Sequence, residues 1–287
     1  MSASVFVRLA PFAFIVLWSS SFVTGRVGLQ HVSPLYFVAL RLVGATVLLL
    51  AASLATRQSW TPLRGRWWQL AIAGALLNGV ALAAFHVGLV TVNVAVIALI
   101  QALNPLIIAL LAMPVLGERL GARAWLGLAL GAAGVAIVIV PKLLGTPAEL
   151  NAILLGGVGV AGLAGGTLYY GRVGRGMPLL PATTVQMGAS ALLLLLLIPA
   201  FETPQADWPP IAVFTVAWNI GAVSIGGMAL YYFMLNRGAA GRVAANFYLV
   251  PGTAALLSWL LLGEALTPLA VAGLAIASVG VFLVARR

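Results

Sequence analysis

The chain contains no cysteine, which excludes disulfides, thiolate metal sites and cysteine nucleophiles. Acids are almost as scarce. Glu118, Glu149, Glu202, Asp207 and Glu264 are the only five in 287 residues, and each falls in a loop or at the end of an apolar stretch. No apolar stretch therefore carries a fixed anionic site. Charged residues of both signs make up 7% of the chain, where a soluble globular surface needs about a quarter. HExxH, GxSxG and Walker lysine patterns are missing too, which leaves metalloprotease, serine hydrolase and ATP-driven pump without residues to act through.

What the chain has instead is apolar length. Hydrophobic residues make up 63% of it and the mean hydropathy is +1.13, the composition of a polytopic membrane protein. A membrane-crossing helix needs ~20 mostly apolar residues. Ten such stretches are legible, at roughly 9–29, 34–56, 67–89, 92–114, 121–141, 150–171, 178–201, 211–235, 240–262 and 266–285. Their continuity excludes a barrel, whose strands alternate polar and apolar residues. The connections are short, so any site must lie among the helices or at their mouths. The first stretch is interrupted by Trp18-Ser19-Ser20-Ser21 and followed by Gly25-Arg26 rather than a small-residue cleavage site, so it is expected to stay as a span.

The net charge of +10 is distributed by side. With ten spans, one face of the membrane receives Arg8, Arg57, Arg64, Arg66, Arg119, Arg123, Arg172, Arg175, Arg237, Arg242, Arg286 and Arg287, and the other only Arg26 and Lys142. Positive loops stay cytoplasmic, so both termini are expected inside and the basic charge is topogenic rather than a nucleic-acid footprint.

The sequence also repeats at one offset. GRVG at 25–28 falls on GRVG at 171–174, Pro105 on Pro251, and Leu116-Gly117-Glu118 with Leu120 on Leu262-Gly263-Glu264 with Leu266. Gly127, Gly134 and Val138 fall on Gly273, Gly280 and Val284 at the same 146-residue shift. A single shift that matches both ends of a five-helix stretch signals duplication. The expectation is one membrane domain of two halves, 1–146 and 147–287. Because five is odd, the second half enters from the opposite side, giving the inverted repeats of secondary transporters. The Glu118 element then reads as a turn and helix cap, with Gly117 breaking one helix and Glu118 serving the N–H groups of the next.

Over its whole length the chain resembles the drug/metabolite transporter superfamily, specifically the EamA-type ten-helix members. The resemblance rests on the duplication, on LWSSSFVTGRVGL at 17–29, and on the NP and LGE elements at 104–105 and 116–118, with VP and LGE at 250–251 and 262–264. Within that superfamily it is similar to the YddG-type exporters of aromatic amino acids. That implies efflux of amino acids and related metabolites across the bacterial inner membrane. The small multidrug members use a glutamate in their first helix to exchange protons for cations, and the WSSS segment here has none.

Inverted-repeat transporters bind substrate near the midplane, where broken helices meet. Pro105 and Pro251, near the centres of spans four and nine, would free the carbonyls of Gln101 and Phe247. A packing kink and a cavity-lining break are both open. Gln101 and Asn104 are spaced to share a helix face with Ile97 and Ile108. Asn78 in span three has Ser224 as its mate at the offset, and His86 has Tyr232. Trp18 and Ser19 (with Ser20 and Ser21), Tyr169 (with Tyr170), Trp218, Asn219, Asn246 and Tyr248 complete a mixed aromatic and amide lining from spans one, three, four, six, eight and nine, read either as interhelical hydrogen bonds or as substrate contacts. Arg41 is the sole cation inside a span; outward snorkelling, a helix-to-helix bond and a substrate carboxylate remain open for it. His86 is the one intramembrane side chain that ordinarily titrates near neutrality, read as proton carrier or as packing residue. The GVGVAG run at 157–162 lies within an apolar span with no preceding soluble strand, so its glycines are helix-packing residues, as are Gly127 and Gly131.

The function these residues suggest is a non-enzymatic secondary transporter of neutral or zwitterionic metabolites, with a small-molecule substrate, the bilayer as its setting, no cofactor or metal, and a monomer sufficing. Spans one, two, six and seven would rock about three, four, eight and nine. The competing classes are a lipid-modifying enzyme built on His86, Asn78 and a serine, a dry helical scaffold, and, among transporters, drug or nucleotide-sugar carriers.

Overall fold

Proline marks where helices begin, because a residue in the first turn needs no N–H partner. The computed structural model describes residues 3–116, 121–174, 176–230, 234 and 249–285. Helix α1 is Ala3–Gly28, α2 Pro34–Ala55, α3 Trp67–Gly74, α4 Ala81–Thr91, α5 Val94–Gln101, α6 Asn104–Leu116 and α7 Ala122–Leu143. They are followed by α8 Pro147–Val173, α9 Leu179–Phe201, α10 Pro210–Trp218, α11 Val250–Leu262 and α12 Pro268–Ala285. Pro34, Pro147, Pro210, Pro251 and Pro268 each stand at a helix start. Among the described residues there is no strand, only a single bridge between Val32 and Ala206.

Among the described residues eight helical runs are long and apolar enough to cross a membrane, and Val250–Leu262 and Pro268–Gly280 are shorter apolar helices. The stretch expected at 240–262 begins among residues outside the description, so α11 is its second part.

Two spans change their winding partway. Ala75–Val80 joins α3 to α4 as a π-helix, and Asn219–Gly227 continues α10 as another. A π-turn holds an extra residue and frequently marks a functional site. The two segments overlap at the 146-residue offset, as do α6 with α11 and the starts of α7 and α12.

The fold divides into two compact units, residues 1–23, 91–156 and 226–287 in the first, and 24–90 and 157–225 in the second. In the second unit, α2 and α9 lie antiparallel: a Cβ on Gly188 would come within 3.3 Å of Thr46, while Glu202, beyond the end of α9, accepts the N–H groups of Leu35 and Tyr36 at the start of α2, both at 2.9 Å. The α8 glycines do what small residues at these spacings do in membranes, admitting a neighbouring helix. Gly159 faces Phe85, Gly162 the Leu76 carbonyl and Val80, and Gly166 Leu77, whereas Gly157 and Gly165 face open space. No dinucleotide cradle is present there.

In the first unit, α7 and α12 also run antiparallel and meet backbone to backbone. A Cβ on Gly134 would lie 2.6 Å from the Gly273 carbonyl, and one on Gly273 would lie 2.6 Å from the Gly134 carbonyl. Gly280 meets the Gly127 carbonyl in the same way. Reciprocal contact of this kind is what a two-fold relation between the helices produces.

Candidate functional site

The densest polar network in the described interior is built around Arg41 in the second unit. Its guanidinium is 7% exposed. Nε donates to Ser224 Oγ at 3.1 Å and Nη1 to Asn219 Oδ1 at 3.0 Å. Asn219 is fully buried; its Nδ2 donates to Thr24 Oγ1 at 2.9 Å and to the Thr215 carbonyl at 3.0 Å, which fixes the amide with its oxygen toward the arginine. Ser224 Oγ donates to the Asn219 carbonyl five residues earlier at 2.8 Å, within the π-turn. The π-helical winding of Asn219–Gly227 is thus what lets one span present both an amide oxygen and a hydroxyl to one guanidinium. Arg41 does not snorkel outward; its bonds are helix to helix.

The energetics leave this site incomplete. Placing an arginine at membrane depth costs about 2.5–3.5 kcal/mol. Two hydrogen bonds from a charged donor, at about 1.5–3 kcal/mol each, offset that. Both acceptors are neutral, however, and Nη2 makes no hydrogen bond among the described residues. Among the described residues no acid serves as its counter-ion.

The first-span motif frames this network. Thr24 binds Asn219, a Cβ on Gly25 would stand 3.3 Å from His86 Nε2, and one on Gly28 would overlap Phe37. Arg26 donates to the carbonyls of Leu89 and, at 2.9 Å, Val90. His86 is buried and stacks on Phe37, with ring centroids 5.6 Å apart, one turn along α2 from Arg41. Its Nδ1 lies 2.8 Å from the Leu82 carbonyl, so Nδ1 carries the proton and Nε2 is the acceptor. That acceptor is buried without a partner. Asn78, in the other π-segment, is half-buried and has no hydrogen-bond partner among the described residues.

Trp218 stacks with Phe214 one turn earlier, centroids 5.7 Å apart, and Phe214 is itself exposed. Tyr169 is half-buried, while its neighbour Tyr170 packs against Leu63, Leu70 and Ala182.

In the first unit, Ser19 Oγ donates to the Val250 carbonyl at 3.1 Å, and Trp18 packs with Phe14 on an apolar cluster of Ala10, Ile15 and Met234. Ser20 and Ser21 spend their hydroxyls on their own helix, at the carbonyls of Leu17 and Trp18. Pro105 and Pro251 do not kink continuous helices. Each sits second in a new helix, α6 or α11, where its missing N–H costs nothing. Gln101 ends α5 and Asn104 begins α6, so the turn at Ala102 and Leu103 removes the single helix face on which the two were expected. Asn104 Oδ1 is buried and unpartnered. Tyr232, Asn246, Phe247 and Tyr248 lie outside the described residues, as does Glu118.

Thr24 and Phe37 were missed as site residues by the sequence reading; Thr24 was visible only as part of the GRVG-containing motif.

The described residues thus form a helical bundle of membrane-spanning length with two π-broken spans and an arginine buried among neutral partners. In comparison with known proteins, the model of the EamA-like transporter family matches residues 7–140 and again 150–286. The chain belongs to the EamA-like transporter family, within the drug/metabolite transporter superfamily. It is similar to the uncharacterized inner membrane transporter YedA of Escherichia coli K12, 27% identical over 90% of this chain and 83% of that one. A probable terminal-alkyne amino-acid exporter of Streptantibioticus cattleyicolor is also 27% identical, over 95% and 91% of the respective chains. A crystal structure at 24% identity covers 98% of this chain and 99% of its own, with a TM-score of 0.69, which shows the shared fold.

Proposed function

We propose that this chain exports small zwitterionic metabolites, amino acids with apolar or aromatic side chains among them, across a bacterial inner membrane by alternating access, with Arg41 receiving the substrate carboxylate. The observation that carries the reading is the buried guanidinium held by Asn219 and Ser224 with no acid beside it. A buried cation without a partner is costly, and a carboxylate arriving from the substrate completes it. Asn219 and Ser224 then act as positioning residues, and Asn78, unpartnered in the matching π-segment, is a second polar contact for the same ligand. His86, with Nδ1 committed to a backbone carbonyl, serves as an acceptor rather than a relay.

The architecture in this reading is two inverted five-helix repeats, 1–146 and 147–287, with both termini cytoplasmic and a monomer as the working form. It is supported by the shared helix bounds at the 146-residue offset and by the antiparallel packing of the offset-related helices α2 with α9 and α7 with α12. The inner-membrane location is supported by the similarity to YedA, and amino-acid export by the similarity to the alkyne amino-acid exporter. The aromatic preference follows from the resemblance to YddG-type exporters.

The test is transport in liposomes reconstituted with the purified chain, using labelled phenylalanine and phenylalanine amide. Movement of the acid by the unaltered chain, and its loss in Arg41→Gln, is the expected result. No movement of any labelled amino acid in either direction overturns the proposal. Equal loss of acid and amide in the variant overturns the role given to Arg41.

A further inference from the structure

The second unit carries a groove that the transport reading does not use. It has a volume of about 550 Å³, within the roughly 300–1,000 Å³ range of small-ligand sites, and is lined by Leu50 of α2, Trp60, Trp67 and Trp68 around the start of α3, and Gly188 and Leu192 of α9. Gly188 and Ala189, both small, form part of the α9 wall. The groove follows α9 from Thr184 to Leu192, about 12 Å at the helical rise, and Trp68 and Leu192 are each 59% exposed along it. Its walls are apolar and include no residue of the Arg41 network.

Trp60 brings the loop between α2 and α3 to the groove, and that loop carries Arg57 three residues before it and Arg64 four residues after it. Arg57 and Arg64 are exposed, and their guanidiniums make no hydrogen bond or ion pair among the described residues. Arg57 is the only non-glycine described residue with a positive φ, 51°, just past the end of α2. Glycine is the usual occupant of that left-handed position, so an arginine there signals a use for its side chain. Trp60 stacks on Trp67 with centroids 5.8 Å apart and planes at 15°, and its indole Nε1 is a buried donor with no partner. Apolar walls, tryptophans and an unsatisfied donor thus meet in one groove, and the loop that supplies Trp60 carries two arginines without partners among the described residues.

We infer that this groove holds one anionic phospholipid of the cytoplasmic leaflet, an acyl chain lying along α9 from Leu192 to Trp68 and the phosphate between Arg57 and Arg64. The side is set by the positive-inside bias of the loop, and the inner leaflet is the anionic one. An ester or phosphate oxygen at the mouth supplies the acceptor that Trp60 Nε1 lacks.

The purified full-length chain, delipidated in detergent and titrated with phosphatidylglycerol or phosphatidylcholine, would be examined by native mass spectrometry. The expected result is retained 1:1 phosphatidylglycerol, preferred over phosphatidylcholine about tenfold, since each arginine near an anionic surface contributes separately. Arg57→Gln with Arg64→Gln, both on the exposed loop, removes the preference while leaving the melting temperature in place. Ala189→Leu, which enlarges a side chain lining the groove, reduces retention of both lipids. Equal retention of the two lipids by the unaltered chain, retention of detergent or neutral lipid alone, or an undiminished preference in the double variant overturns the inference.

Discussion

The carboxylate of Glu264 accepts the backbone N–H of Val94 at 2.9 Å, across 170 residues of sequence. Val94 opens α5, and its N-cap residue, Asn93, makes no capping bond and leaves its own Oδ1 buried and unpartnered. Glu264 therefore does the capping from the loop between α11 and α12, and it also accepts Ser258 Oγ–H at 2.6 Å. An acid at a helix N-terminus satisfies an orphan donor and opposes the positive end of the helix dipole. Glu264→Ala is expected to destabilise the chain by about 1–2 kcal/mol, with Glu264→Gln between the two because it keeps an acceptor but not the charge. Thermal unfolding in detergent, followed by tryptophan fluorescence, checks the order of the three melting temperatures.

Asn219→Asp separates structure from binding at the Arg41 site. The variant keeps the size of the side chain and the oxygen 3.0 Å from Arg41 Nη1, but adds the negative charge the site lacks. The fold is expected to survive, since a buried ion pair replaces a buried lone cation. Transport of a carboxylate-bearing substrate is expected to fall about ten- to a hundredfold, the equivalent of losing one charge-assisted hydrogen bond. Unchanged uptake of labelled phenylalanine by folded Asn219→Asp protein would remove the substrate carboxylate from this site.

Glycine substitutions should divide sharply by location. A Cβ at Gly134 meets the Ala277 backbone nitrogen at 2.5 Å, and a helix backbone cannot yield as a flexible side chain does. Gly134→Ala and Gly273→Ala are therefore expected to cost about 1–3 kcal/mol each through overpacking. Gly157 and Gly165 have nothing within 4 Å, so alanine there is expected to be neutral or slightly stabilising. Size-exclusion profiles of the heated variants would show early loss of monodisperse protein for the first pair alone.

Much of this was legible in the sequence because apolar length and local punctuation are local properties. The stretches expected at 34–56 and 178–201 fall within a residue of α2 and α9, and the repeated prolines, Pro105 and Pro251, stand second in α6 and α11. Of the α8 glycines read as packing residues, Gly159, Gly162 and Gly166 pack against α3 to α4, whereas Gly157 and Gly165 meet nothing. What sequence could not give was every relationship set by tertiary distance. Arg41 finds its partners 178 and 183 residues away, so its depth was visible while its acceptors were not. The π-segments carry no residue signature; Asn219 and Ser224 were noticed as polar but not as five-apart partners on one face. The cap role was read for Glu118, which lies outside the described residues; its mate Glu264 caps α5, 170 residues away, a partner no local pattern shows. The local feature that does hold there is Gly263, left-handed at φ 68° after α11.

Sidedness is the remaining consequence of the charge pattern, and the absence of cysteine makes it directly measurable. Contacts within each unit already join loops in sets of equal parity. Arg66 Nη2 donates to the Val173 carbonyl at 2.6 Å, linking the loop after α2 to the end of α8. The Asp207 N–H donates to the His31 carbonyl, linking the loop after α1 to that after α9. Lys142 pairs with Glu149 at 2.9 Å in the loop between α7 and α8. The basic set containing Arg57 and Arg64 is expected in the cytoplasm and the set containing Lys142 outside. Ser59→Cys and Leu144→Cys place single thiols at exposed positions of the two sets, Leu144 being 85% exposed. In intact cells a membrane-impermeant maleimide is expected to label the Leu144→Cys protein at once and the Ser59→Cys protein only after permeabilisation. The reverse pattern would invert the topology, and with it the leaflet assigned to the tryptophan-lined groove.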